Sequence, residues 1–129
     1  MFDALTGNKS AEQDDDIWEV ITDVSDIDDI LQRSNHRPQL IYKHSNRCSV
    51  CFVAKGNLER ASEQIGEQAE MYYLDVVKHR EASNYVADKL EVRHESPQVI
   101  LVNEGEVSWN ASHGSIDADT VLERLNGSS

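Results

Sequence analysis

Apolar positions along this chain switch repeatedly between a period of two and a period near 3.6, and each switch marks a new element. Ile17-Trp18-Glu19-Val20-Ile21 alternates weakly and reads as a short edge strand. Ser25 is placed to cap a helix over Asp26 to Ser34, with Asp28 three residues on and Ile27, Ile30 and Leu31 on one face. Pro38 breaks the chain, and the apolar run from Gln39 to His44 then predicts a buried strand. A helix follows from Cys48 through Gln64, ending near Gly66. Met71 to Val76 is another strand. Ala82 to Leu90 is a helix whose Ala82, Tyr85, Val86, Ala87 and Leu90 fit the helical period. Pro97 opens the strand Val99 to Val102, Asn103-Glu104-Gly105 turns, and Glu106 to Asn110 returns. Asp117 can cap a last helix, Ala118 to Leu125, with Val121, Leu122 and Leu125 apolar.

The order β-α-β-α-β-α-β-β-α predicts an α/β protein. Strands alternating with helices and finishing in a hairpin plus helix describe a thioredoxin-like domain, a central mixed sheet sandwiched by helices. That domain covers residues 17–129. Residues 1–16 are polar, end in Asp14-Asp15-Asp16 and show no sustained period, so they read as an acidic, flexible extension. Phe2 and Leu5 are its only hints of docking.

At 129 residues the chain can bury roughly two-thirds of its unfolded surface, so a core needs no disulfide to hold it. The net charge of -12 argues against nucleic-acid and anionic-membrane partners, since both reward the opposite sign. No apolar run is long enough for a bilayer span, and Met1-Phe2-Asp3-Ala4-Leu5 lacks the features of a signal peptide. A soluble, cytoplasmic, reducing location is expected. There a cysteine pair is more often catalytic or metal-binding than structural.

That pair is Cys48-Ser49-Val50-Cys51, which holds the only two cysteines, at a strand-to-helix junction. A helix starting at Cys48 stacks both sulfurs on its first turn, against unpaired backbone N–H groups and the positive end of the helix dipole. Thiols in such settings fall from a pKa of about 8.5 to roughly 3.5–7.5. Cys48, first of the pair, is the candidate nucleophile. Cys51 is either a resolving thiol or a buried bystander, and at i+3 its sulfur can reach Cys48 in disulfide geometry.

With those residues in place, a family resemblance appears. Lys43-His44-Ser45-Asn46-Arg47-Cys48, Tyr72-Tyr73-Leu74-Asp75-Val76, Val92-Arg93-His94-Glu95-Ser96-Pro97-Gln98 and Trp109 through His113 closely resemble the YtxJ-like bacilliredoxins, from about Val24 to Leu125. These are thioredoxin-fold proteins of bacteria that use bacillithiol. The resemblance implies a thiol–disulfide oxidoreductase that reduces mixed disulfides between bacillithiol and protein cysteines. Bacillithiol would be a co-substrate, no cofactor would be tightly bound, and the partners would be bacillithiolated or disulfide-bonded proteins. Many members carry one cysteine, with Pro-Ile-Ser where this chain has Ser49-Val50-Cys51, so Cys51 departs from the monothiol pattern. Tyr42 stands where thioredoxin has its buried aspartate.

The thioredoxin-like context also assigns the surroundings. It places a cis Ser96–Pro97 bond facing the cysteines, where the Ser96 backbone would receive an extended substrate like an added strand. His113 should lie near Cys48, there either to donate a proton or bind a cofactor carboxylate, or as a solvated loop residue. Arg47 either favours the thiolate and attracts an anionic thiol or is simply solvated. His44, at a strand end, is either packed or part of the site. A general dithiol reductase is the nearest rival function. A metal-binding or adaptor domain is the third reading, and a zinc site usually needs four ligands where this chain offers two cysteines and distant histidines.

Overall fold

All six residues of Gln39–His44 are buried. A strand hidden on both faces needs cover above and below, which puts it at the centre of a layered sheet. In the computed structural model, which describes residues 17–127, this strand is β2 of a five-stranded sheet. The others are β1 (Glu19–Val20), β3 (Glu70–Asp75), β4 (Gln98–Asn103) and β5 (Glu106–Ser112). They lie in the order β1-β3-β2-β4-β5. β1 and β2 run parallel to β3, while β4 is antiparallel to both β2 and β5. The sheet is mixed and the expected thioredoxin-like α/β architecture holds.

Among the described residues five helices cover it: α1 (Val24–Arg33), α2 (Ser49–Arg60), α3 (Ser62–Gly66), α4 (Arg80–Leu90) and α5 (Ala118–Gly127). Strand side chains alternate between two cores because successive Cβ atoms point to opposite faces. On one face Leu40, Tyr42, Met71, Val99 and Leu101 pack with Ala54, Leu58, Ile65, Val121 and Leu125 from α2, α3 and α5. On the other, Ile41, Tyr72, Leu74, Ile100 and Val102 meet Ile27, Ile30, Ala82 and Val86 from α1 and α4. Trp18 joins the first core and its indole Nε1 donates to Glu59 at 2.7 Å.

Several local expectations change. Asp23, not Ser25, caps α1: its carboxylate accepts from the Ser25 N–H at 3.0 Å while the Asp26 carboxylate accepts from the Asp23 N–H at 3.2 Å. Two carboxylates answering each other's backbone donors satisfy more of the helix start than a single hydroxyl can. The long helix after Cys48 is two, because Ala61 leaves the helical conformation at φ -106°, ψ 15° and α3 restarts beyond it. The edge strand shrinks to two residues, although the Ile21 N–H still bonds the Tyr73 carbonyl at 2.9 Å. β5 runs two residues further than expected, to Ser112. The proposed extension, residues 1–16, lies outside the described residues, as do Phe2 and Leu5.

Leu58 is fully buried between α2 and the sheet. Leu58→Ala should lower unfolding free energy by about 2–5 kcal/mol through lost contacts and a cavity. Urea titration should show a lower midpoint with an unchanged slope.

Candidate active site

The sheet topology brings four segments to one edge. Parallel β2 and β3 both end there, with His44 beside Asp75. Antiparallel β4 begins there, with Gln98 opposite Lys43, and β5 ends there, with Ser112 opposite Gln98. The segments leaving these strand ends carry Cys48, Ser96–Pro97 and His113.

From His44 the chain turns through Ser45, whose hydroxyl accepts from the Arg47 N–H at 3.2 Å and whose carbonyl accepts from the Cys48 N–H at 3.2 Å. The turn delivers Cys48 as the N-cap of α2, in extended conformation with φ -122° and ψ 116°. The Cys48 side chain is partly exposed, whereas Cys51 is completely buried one turn on. Their pKa values part accordingly. A hydrogen bond from the Cys51 thiol, joined by the Cys51 and Val50 backbone N–H groups, holds the Cys48 thiol below its ordinary value. Burial pushes the Cys51 thiol up to about 11, even though a Ser45 backbone bond and the Ser96 side chain pull the other way. Two thiols on one turn thus divide into an exposed thiolate former and a protonated partner.

The surroundings fall on both faces of the sheet. Tyr42 and His44 point toward α2. The Tyr42 hydroxyl donates to the Cys51 carbonyl at 2.7 Å and lies 2.9 Å from His44 Nδ1. His44 Nε2 faces the Asn46 side-chain amide at 2.9 Å, and its ring meets Phe52 edge-on at 4.8 Å. Burial lowers the His44 pKa and pushes the Tyr42 hydroxyl far up. His44, read from sequence as either packed or part of the site, is fully buried with both ring nitrogens engaged. Tyr42 bonds the backbone of Cys51, where an aspartate would offer a carboxylate.

The Ser96–Pro97 bond is cis. Pro97 is buried and Ser96 is half-buried, with its side chain acting to lower the Cys51 pKa. His113 opens a short 3-10 turn, His113–Ser115, that packs on α2. Its N–H donates to the Pro97 carbonyl at 3.0 Å, and its ring Nε2 lies 3.4 Å from Glu95. His113 holds φ +55°, a left-handed conformation tolerated better by histidine than by most residues. Its ring therefore sits on the Ser96–Pro97 loop. Arg47 is exposed in the turn before Cys48. Asp75 ends β3 by accepting from the Val77 and Lys78 N–H groups at 3.0 and 2.9 Å, a turn role.

Lys43 and His94 are the polar pair that reasoning from sequence undervalued. Lys43 points to the α4 face, is fully buried, and its Nζ lies 2.8 Å from His94 Nδ1. Burial lowers the Lys43 pKa to about 8, with Glu95 opposing. Burial, then Lys43, lowers that of His94. The available signal was the strand itself: a lysine inside Gln39–His44 has to be buried, and a buried ammonium needs a partner. Among the described residues no group of three or more His, Cys, Asp or Glu side chains converges as a metal site, and no helix is long and apolar enough to cross a membrane.

A partly exposed cysteine capping a helix, a buried second sulfur one turn on and a cis-proline segment against them define a thioredoxin-fold thiol-redox protein. Residues 19–121 match the family described as monothiol bacilliredoxin BrxC, and the chain belongs to that family. Solved structures agree on the fold. A thioredoxin-fold protein provisionally assigned as an oxidoreductase is 26% identical at TM-score 0.74, covering 87% of this chain and 96% of that one. Thioredoxin of Fasciola hepatica is 18% identical at TM-score 0.66, with coverages of 84% and 96%. Thioredoxin O2 of Arabidopsis thaliana, in its oxidised state, is 13% identical at TM-score 0.67, with coverages of 85% and 92%.

The raised Cys51 pKa has a consequence for stability. The neutral thiol is favoured in the folded state, so its contribution is fully present below the unfolded value of about 8.5. It is lost as pH rises through about 11. The stability advantage of reduced protein over Cys51→Ala should therefore shrink across that interval, measured by urea unfolding at successive pH values.

Proposed function

We propose that this protein reduces mixed disulfides between bacillithiol and protein cysteines in the reducing cytoplasm, with Cys48 as nucleophile and Cys51 as resolving thiol. The observation that carries this reading is Cys48 itself: partly exposed at a helix N-terminus, its thiol lowered by the Cys51 thiol and backbone N–H groups. The Cys48 thiolate attacks the bacillithiol sulfur of the mixed disulfide. A Cys48–bacillithiol disulfide forms, the S–S bond between bacillithiol and the substrate cysteine breaks, and the repaired protein leaves as a thiolate that takes a proton from solvent. Cys51 then loses its proton to water and attacks the Cys48 sulfur. Bacillithiol leaves as its thiolate, and the Cys48–Cys51 disulfide carries the two-electron oxidation. An external thiol or reductase returns the pair to the dithiol.

Exposed Val50, Phe52 and Val53 follow the nucleophile along the first turns of α2, which suits a protein substrate whose own apolar surface flanks the modified cysteine. Arg47 offers positive charge to an anionic thiol, His113 offers a proton at the loop, and the Ser96 backbone offers strand-like pairing to an extended segment. His44 supports the reaction from beneath, through Tyr42.

A monothiol cycle is the second reading, favoured by the family's description and by the burial of Cys51. In that cycle free bacillithiol attacks the bound bacillithiol sulfur, releasing bacillithiol disulfide and leaving Cys51 unused. Intact-mass spectrometry of reduced protein mixed with a bacillithiolated substrate separates the two. The dithiol cycle gives a stable bacillithiol adduct in Cys51→Ser and a loss of about two mass units in wild type, since two thiol hydrogens leave as one S–S bond forms. The same stable adduct in both proteins would make the cycle monothiol. No adduct in either, with ordinary protein disulfides still reduced, would favour a general dithiol reductase.

A further inference from the structure

A fully buried lysine is an expensive way to fill space, because its ammonium loses water and a methionine of similar length would not. Lys43 is completely buried and lies on the sheet face turned away from Cys48, so the sulfur chemistry above does not use it. Its immediate neighbours all belong to, or hold, one segment. Before Ser96–Pro97, His94 Nδ1 accepts from Lys43 Nζ at 2.8 Å, with the Ser83 hydroxyl of α4 at 3.3 Å from the same nitrogen. After Ser96–Pro97, Gln98 stands directly opposite Lys43 in the antiparallel β2–β4 register, which puts both side chains on the same face.

Gln98 is itself almost fully buried. Its Nε2 donates to the Arg93 carbonyl at 3.0 Å, closing residues 93–98 into a loop, while its Oε1 is buried with no hydrogen-bond partner. An ammonium has three protons, and His94 occupies one. An orphaned acceptor one strand away is the natural recipient for another. The loop held by Lys43 at His94, and closed on itself by Gln98, is the one whose Ser96 side chain lowers the Cys51 pKa and whose Pro97 carbonyl accepts from the His113 N–H.

We propose that Lys43 is a positioning residue, whose buried ammonium seats the 93–98 loop so that Ser96 is held on Cys51 during resolution of the Cys48 adduct. This rests on the reading of Cys51 as the resolving thiol. Lys43 works through the loop and touches neither sulfur. The Ser96 hydroxyl, as donor, favours the Cys51 thiolate that must attack Cys48, so a displaced Ser96 slows that attack. The groups facing the ammonium are His94, Glu95 and Gln98 from the loop and strand and Ser83 from α4, with Arg80 acting on His94 and with Arg93 and His113 on Glu95. Protonation of His94 removes the lone pair that Lys43 uses and sets two cations face to face. Acid should therefore unseat the loop.

The aromatic disulfide 5,5′-dithiobis(2-nitrobenzoate) reads both steps without a natural substrate. Attack by Cys48 releases one thionitrobenzoate and leaves a Cys48 adduct, and attack by Cys51 on that adduct releases a second. In stopped-flow mixing, Lys43→Met should leave the first phase within about twofold of wild type and slow the second by about tenfold, the order expected for a misplaced reacting group. His94→Ala, at a solvent-facing position that does not endanger the core, should slow the second phase in the same way. Lys43→Arg should restore part of it. Ser96→Ala should slow it too, and combining Ser96→Ala with Lys43→Met should add little, because both act on one contact. Below the His94 titration the wild-type second phase should fall more steeply than thiolate loss requires, and Lys43→Met should lose that extra fall. A second phase unchanged in Lys43→Met and His94→Ala, or both phases slowed equally, overturns the positioning role while leaving Cys51 as resolving thiol. Absence of the second phase in wild type overturns the resolving role of Cys51 and the proposal with it.

Discussion

The contact between the Cys48 and Cys51 sulfurs across the first turn of α2 is the interaction on which the rest of the site depends. It joins one group at the surface to one in the core. The exposed sulfur collects hydrogen bonds from its neighbour and from the helix N-terminus, so its charge is stabilised. The buried sulfur has its charge disfavoured by the same packing that fixes its position. One turn of helix thus separates the two thiols in pKa through hydrogen bonds and burial.

The central strand sets both sides of this arrangement. Its alternation sends Tyr42 and His44 beneath α2, where Tyr42 ties the Cys51 carbonyl to the imidazole. The same alternation sends Lys43 to the opposite face, under the loop that brings Ser96 back to Cys51. The helix carrying the sulfurs and the loop opposing them are therefore anchored to three consecutive residues of one strand. A β-strand hands successive side chains to opposite layers, so a single segment can hold both halves of a reaction centre.

Much of this was legible in the sequence. Alternating periods marked the helices and strands, and the Cys48–Cys51 spacing at a strand-to-helix junction marked the centre. The misses have physical causes. Ala54, Leu58, Ala61 and Ile65 follow an unbroken helical period, so nothing in the pattern announces the break at Ala61. Ser25 looked like a cap because a hydroxyl precedes an apolar period, but the reciprocal carboxylates of Asp23 and Asp26 satisfy more backbone donors. For His44 the position at a strand end left both a packed role and a site role open. Here the cover supplied by Phe52 and Tyr42 arrives only with tertiary packing. The pairing of Lys43 with His94 spans 51 residues and needs the β4 register to be seen.

The central claim is that packing, not sequence spacing, makes the two thiols unequal. Peptide-mapped alkylation of reduced protein by iodoacetamide, followed from neutral pH upward, tests it most directly. The account predicts half-maximal modification of Cys48 below the ordinary cysteine value, while Cys51 stays protected until the pH approaches about 11 or the protein unfolds. Parallel modification of both cysteines, or earlier modification of Cys51, would contradict it.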